Sequence, residues 1–103
     1  MLTVRNLTNN KGRSIANQFV ICNGFNTTFQ SYTSTIVEID VLTKTITIHQ
    51  DYDYSNTTIR NRNIFFKNQG FDDLSTTKGL EKAIENGCIQ TSFDGVYTIK
   101  KAA

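Results

Sequence analysis

The single histidine of the chain is followed at alternate positions by two aspartates, a pattern that could support acid–base or metal chemistry. His49, Asp51 and Asp53 form an H-x-D-x-D run. If a strand continued through them, all three side chains would share one face and could hold a metal ion or exchange protons. A small metal-dependent nuclease or hydrolase is therefore one hypothesis. The run also fits a solvated strand end before helix-capping carboxylates, so we expect no enzyme, no catalytic residue and no metal site.

The two cysteines, Cys22 and Cys88, are the other residues with nucleophilic chemistry. They lie far apart in the sequence and outside any metal-ligand spacing. Cys88 follows a predicted helix C-terminus, where the helix dipole does not favour a thiolate. We therefore expect both to be buried, reduced thiols that pack in the core. The sequence has no phosphate-binding loop and no nucleophile elbow, and we expect no cofactor.

A third group combines aromatic and basic side chains, which can stack on bases, neutralise phosphates or anchor a protein interface. Its members are Tyr52, Tyr54, Arg60, Arg62 and Lys67. We predict that these five residues form a partner-binding face in which a rigid helix presents the arginines. The alternative is that Tyr54 packs between helix and sheet while the arginines are ordinary solvated surface.

These residues lie at the junction of a predicted hairpin and a predicted helix. Residues 35–41 and 45–49 are rich in Ile, Val and Thr and alternate in polarity, which predicts two strands. Asp40 can accept backbone N–H groups in the turn between them. Ser55 is a good N-cap for a helix over about 56–68, and Gly70 is suited to the left-handed residue that ends it.

The flanking segments predict more strands and a second helix. The Asn23-Gly24 pair indicates a type I′ hairpin, whose returning strand makes Phe25 and Phe29 available to the core. A helix is expected over about 74–86, and a terminal hairpin around Asp94-Gly95. We predict an α+β fold, an antiparallel sheet of four to six strands with two helices packed on one face, as a single domain over residues 1–103.

The composition narrows the function classes. A formal net charge of +2 is too small to indicate nucleic-acid binding by itself. The N-terminus has no apolar run, and no segment approaches the roughly 20 apolar residues of a membrane span. We therefore expect a soluble, cytoplasmic protein that does not contact a membrane. An exposed edge strand near Met1–Val4 leaves a strand-pairing homodimer open.

Three segments resemble a set of small phage-encoded proteins of unassigned function. They are NQFVI, FQSYTSTIVEI and DYDYSNTTIRNRNIFF, which begin at residues 17, 29 and 51. The shared features are an F-x-S-Y-x-S-x-I strand, a Y-S-x-T-T segment and a helix with an aromatic pair, and the resemblance spans roughly residues 17–90. It implies a phage or mobile-element context and transfers no functional residues. Small phage proteins are often host-takeover or anti-defence factors, including anti-CRISPR proteins.

The leading hypothesis is a non-enzymatic phage accessory factor that docks on a host protein or ribonucleoprotein complex. In its most specific form it inhibits a nucleic-acid-guided defence system, as anti-CRISPR proteins do. A direct single-stranded nucleic-acid binder is the second hypothesis, and the nuclease or hydrolase is the third.

Overall fold

Alternating polarity in the first half of the chain builds a meander of five antiparallel strands. A computed structural model describes residues 2–102. Each of the five strands pairs with the next along the chain. Their bounds are β1 Leu2–Thr8, β2 Ser14–Asn23, β3 Asn26–Ser31, β4 Ser34–Asp40 and β5 Thr45–Ile48.

The second half of the chain crosses the sheet through two helices and then adds two strands. These elements are α1 Asn56–Asn68, α2 Thr77–Asn86, β6 Cys88–Thr91 and β7 Gly95–Lys101. The sheet order is β1-β2-β3-β4-β5-β7-β6, with β7 parallel to β5. The α+β class with two helices is confirmed. The sheet is larger than the expected four to six strands, and it is mixed because the long helical crossover returns the chain beside β5 in the same direction.

One face of the sheet is buried. Val20, Phe29, Val37 and Ile48 stand opposite one another across four neighbouring strands, and all are buried. Both helices contribute to the same core, and the Phe65 ring of α1 stacks on Phe29 with 5.4 Å between centroids. No helix among residues 2–102 has the length and apolar character needed to cross a membrane.

The bounds of α1 and the turn between β4 and β5 agree with the predictions made from short-range sequence signals. The Ser55 side chain accepts a hydrogen bond from the Thr58 backbone N–H, and α1 begins and ends as predicted. Asp40 accepts backbone N–H bonds from Leu42 and Thr43 in the β4–β5 turn. Such short-range hydrogen bonds depend on neighbouring residues alone, which explains why the sequence predicts them well.

Four local expectations are wrong: the type I′ turn, the burial of Phe25, the start of the second helix and the burial of Cys88. Only Gly24 has a positive φ in the β2–β3 turn, as in a type II′ turn, and Phe25 is 62% exposed instead of packing in the core. Helix α2 begins at Thr77, capped by Thr76, because residues 72–74 form a separate 3-10 turn. Cys88 is exposed, since it begins an edge strand directly after the helix, whereas Cys22 is half-buried against the core.

Candidate functional site

The H-x-D-x-D side chains are not aligned on one face of a strand. Strand β5 ends at Ile48, and a 3-10 turn over Gln50–Asp53 interrupts the alternation that would have aligned the three side chains. The His49 Nε2 atom instead lies 2.7 Å from a carboxylate oxygen of Glu38. Within residues 2–102, no group of three His, Cys, Asp or Glu side chains could hold a metal ion. The hypothesised ligand cluster is therefore not present.

The predicted partner-binding face is divided between interior and surface. Arg62 is 0% exposed and Tyr52 is 7% exposed, so neither can present its polar group to a partner. Tyr54 is 79% exposed, and Arg60 and Lys67 also lie on the surface. The expectation of one continuous face through all five residues is wrong, because Arg62 shares the inward stripe of α1 with Phe65.

Arg62 connects three elements of the interior. Its guanidinium donates hydrogen bonds to the Tyr52 carbonyl oxygen at 2.9 Å and to Thr77 Oγ1 at 2.7 Å. It also donates to Asn63 Oδ1 at 2.9 Å. Desolvation lowers the pKa of Arg62 from its ordinary value, while Tyr52, Asp53 and Glu81 act in the opposite direction. An arginine remains charged in such surroundings, so Arg62 stabilises the junction by donating to one buried and two partly buried acceptors.

Two segments that are distant in sequence, residues 29–39 and 51–66, meet around a pocket. The F-x-S-Y-x-S-x-I segment contributes two hydroxyls and an apolar floor. The region around Y-S-x-T-T contributes a carboxylate, a phenol and a hydroxyl. The pocket measures about 290 Å³ and is lined by Ser31, Ser34, Ile36, Asp51, Tyr54 and Thr58. We call these six residues, together with the adjacent turn residue Tyr32, the tyrosine pocket.

The turn that shapes one wall of this pocket is strained. Ser31 and Ser34 pair across the β3–β4 hairpin, and Tyr32 between them has a φ of +54°. Its N–H donates to the Asn17 carbonyl oxygen at 2.7 Å, and its own carbonyl oxygen accepts from Gln30 Nε2. A left-handed conformation costs a residue with a Cβ roughly 1–2 kcal/mol. The hairpin therefore holds an unfavourable backbone while leaving the Tyr32 side chain 58% exposed.

An unpaired acceptor lies beside the same wall. Gln18 stands opposite Ser31 in the β2–β3 ladder and is buried. Its Oε1 is the one buried side-chain polar atom without a hydrogen-bond partner among residues 2–102. Leaving such an acceptor unpaired costs roughly 1–3 kcal/mol. Strain and an unpaired acceptor thus coincide at one end of the sheet, and backbone strain clusters at functional sites.

The lining determines what the tyrosine pocket can bind. Three hydroxyls and the half-buried Asp51 carboxylate offer hydrogen bonds, and Tyr54 offers an aromatic face. The volume is at the lower end of ligand pockets, which run from roughly 300 to 1,000 Å³. It therefore suits one inserted side chain or base. Sequence reasoning selected Tyr54 but missed Tyr32 and the serines, although the motif segments contain them.

Residues 2–82 match the model of a family of unknown function (DUF8033). The chain belongs to this family. No curated protein and no solved structure matches it. Every residue of the tyrosine pocket lies within the matched DUF8033 region, whereas β6 and β7 follow it. The expectation of a family without an assigned function is confirmed.

Proposed function

We propose that this protein is a non-enzymatic binding protein that docks on a macromolecule through the tyrosine pocket. The observation that carries the proposal is a pair of exposed tyrosines, Tyr32 and Tyr54, beside a small hydroxyl-lined pocket. Exposed aromatic side chains lose little conformational freedom on binding and are favoured anchors at interfaces. The strained turn at Tyr32 and the unpaired Gln18 oxygen are consistent with a surface selected for binding.

A protein partner fits this surface best. The one charged side chain that lines the pocket is Asp51, and a carboxylate repels the phosphates of a nucleic acid. Of the predicted basic and aromatic set, Arg62 is buried and cannot neutralise a phosphate. An inserted side chain that donates hydrogen bonds would match the carboxylate and hydroxyl acceptors.

The finer form of the proposal is a phage or mobile-element accessory factor. It would act in the cytoplasm of the host by docking on a host protein or ribonucleoprotein, as an anti-defence inhibitor of the anti-CRISPR type. The support for this context is the resemblance of three segments to small phage-encoded proteins. The support for docking is the tyrosine pocket.

The test is affinity capture from host lysate with tagged wild-type, Tyr54→Ala and Phe25→Ala proteins, followed by binding measurements on the captured partner. Tyr54→Ala should weaken binding by about 30-fold, since an interface anchor contributes about 2 kcal/mol. The melting temperature should not change, because the Tyr54 side chain is mostly exposed. Phe25→Ala removes another exposed aromatic ring, at the opposite end of β3 from Tyr32, and should leave binding intact. Equal losses in both variants, or none in Tyr54→Ala, would refute docking at the tyrosine pocket.

A direct single-stranded nucleic-acid binder is the second candidate, favoured by the exposed Arg60 and Lys67 on α1. In that case nuclease treatment of the lysate would abolish recovery. The affinity for a poly-dT oligonucleotide would also fall steeply with salt as counterions are released. Replacing Arg60 and Lys67 together by Ala should then reduce the salt slope by about two. Recovery that survives nuclease treatment and a weak salt dependence would exclude this candidate.

A further inference from the structure

The second edge of the sheet, remote in sequence from the tyrosine pocket, carries a groove. Two adjoining cavities of about 400 and about 420 Å³ share Asp73, Ile89 and Gln90 in their linings. One wall is the edge strand β6. The other wall is formed by α2 and the segment before it, and its lining residues include Asp72, Lys82 and Ala83. We call this surface the β6 groove.

The main chain of β6 has hydrogen-bonding groups that β7 does not use. The Ile99 N–H donates to the Gly87 carbonyl oxygen at 2.9 Å, next to the opposed pair Cys88 and Thr98. In an antiparallel ladder the direction of these groups alternates from one residue to the next. The N–H and C=O groups of Cys88 and Gln90 therefore point away from β7, towards the open edge. An added strand could hydrogen-bond to four main-chain groups.

The floor of the groove is formed in advance of any binding. At Gly79 an added Cβ would overlap the Asp73 carbonyl oxygen, so α2 packs directly against the preceding turn. The rings of Phe71 and Phe93 meet edge to face with 5.5 Å between their centroids at the other end. Ile89 packs against the core and leaves an apolar base beside the strand. Little ordering is then needed when a strand docks, which favours affinity.

The charges along the groove define the occupant. Asp72 is exposed in the cavity beside the C-terminal half of β6, Lys82 is exposed in the cavity beside its N-terminal half, and the exposed Asp73 lines both. We propose that the β6 groove binds an extended peptide of a partner protein by strand addition to β6. The peptide would place apolar side chains at alternate positions against Ile89, and a Lys or Arg next to Asp72 and Asp73. This site is separate from the tyrosine pocket and does not depend on its proposed function.

The test uses a displayed decapeptide library with Val, Ile or Phe at alternate positions and random residues between them. We expect enrichment of peptides that carry Lys or Arg towards one end. Amide exchange of Cys88 and Gln90 should slow when a selected peptide binds, because their N–H groups become bonded. Gln90→Pro removes an outward-facing N–H without breaking the ladder to β7. It should weaken binding about tenfold or more, since it removes a hydrogen bond and obstructs the edge.

Two controls keep the test decisive. Gln90→Thr retains the N–H and the strand, and it should bind selected peptides within about twofold of wild type, as a surface substitution does. Asp72→Asn with Asp73→Asn preserves the side-chain shapes and should reduce affinity for Lys- or Arg-bearing peptides, with less dependence on salt. If Gln90→Pro is not folded by circular dichroism, the aspartate variant and the amide exchange decide the question.

Three results would overturn the proposal. One is a library without enriched peptides. Another is a set of selected peptides that bind Gln90→Pro as well as wild type and leave the exchange of the Cys88 amide unchanged. The third is a concentration-dependent dimer that Gln90→Pro abolishes, because the occupant would then be a second copy of the chain.

Discussion

The tyrosine pocket and the β6 groove offer a partner different kinds of chemistry. The pocket presents side chains: hydroxyls, one carboxylate and aromatic rings, held by a strained hairpin and a helix start. The groove presents main-chain donors and acceptors beside a shallow apolar base. Side-chain contacts discriminate one group from another, whereas a strand edge accepts many sequences and depends on flanking charges for selectivity. The pocket also lies within the DUF8033 match, while β6 lies beyond it.

Arg62 connects the two surfaces, and replacing it should affect both. It bonds to the Tyr52 carbonyl in the turn beside the tyrosine pocket and to Thr77 at the start of α2. Arg62→Ala would leave the buried Tyr52 carbonyl and the partly buried Thr77 hydroxyl without their donor and open a cavity, so the free energy of unfolding should fall by about 3 kcal/mol or more. Urea denaturation measures this change. Arg60→Ala is the matched control and should stay within about 0.5 kcal/mol of wild type. Similar values for both variants would contradict the structural role of Arg62.

Gly79→Ala should disturb the groove and spare the pocket. The new methyl group would overlap the Asp73 carbonyl oxygen and displace α2 from the preceding turn. We expect a loss of about 2 kcal/mol in the free energy of unfolding, as for other overpacked sites. Amide chemical shifts should change at Asp72 and Asp73 and stay constant at Tyr54. Glu85→Ala, on the exposed side of the same helix, serves as control. Shifts that spread equally to Tyr54 would mean that the two surfaces are not independent.

Tyr32→Gly should separate stability from binding at the tyrosine pocket. Glycine adopts a positive φ without strain, so the free energy of unfolding should rise by about 1 kcal/mol. Affinity for the partner should fall at the same time, because an exposed anchor is removed. Tyr32→Ala loses the ring but keeps the strain, and it should bind as poorly without the gain in stability. Thermal denaturation and the partner titration together check this. A destabilised Tyr32→Gly protein would show that the ring itself supports the fold.

A further effect concerns pH and the turn that ends the groove. Asp94 accepts hydrogen bonds from Lys44 and from the Tyr97 hydroxyl, each at 2.6 Å. Burial, with help from Asp94, raises the pKa of Tyr97 to about 12 from 10.0. The folded state thus favours the neutral phenol, and this contribution is complete below pH 10 and is lost between about pH 10 and 12. The urea midpoint should decline less over that range in Tyr97→Phe. An identical decline would exclude Tyr97 as its source.

The same turn should respond at acid pH in the opposite direction. The hydrogen bond from Lys44 is the main cause that lowers the pKa of Asp94 below 3.8, followed by the bond from Tyr97. The stability from the ionised carboxylate is complete above the unfolded pKa and is lost as pH falls through the lower folded value. Asp94→Asn should flatten the acid side of the urea midpoint curve and leave the tyrosine pocket unchanged. An unaltered acid side would contradict this assignment.

The helix and hairpin around the candidate site could be predicted from the sequence. Which side chains line that site, and which are buried beneath it, could not be predicted. Ser55, Asp40 and Gly70 act on neighbouring residues, so α1 and the β4–β5 turn follow from short stretches of sequence. Arg62 lies on the same face of α1 as Thr58 and Phe65, and this spacing was the indication that Arg62 could be buried. That signal was ambiguous, because arginine is normally a surface residue and only a set of buried acceptors reverses the preference.

The sequence by itself determined the α+β class, the bounds of α1 and the hydrogen bonding of the β4–β5 turn, since these depend on periodicity and on hydrogen bonds between near neighbours. Tertiary structure alone decided that β7 enters parallel to β5 and that Arg62 faces inward. It also brought Ser31 and Ser34 to Tyr54, across about 20 residues of chain. The physical reason is that burial and long-range pairing are shared by elements distant in sequence, and no local pattern specifies which of them will meet.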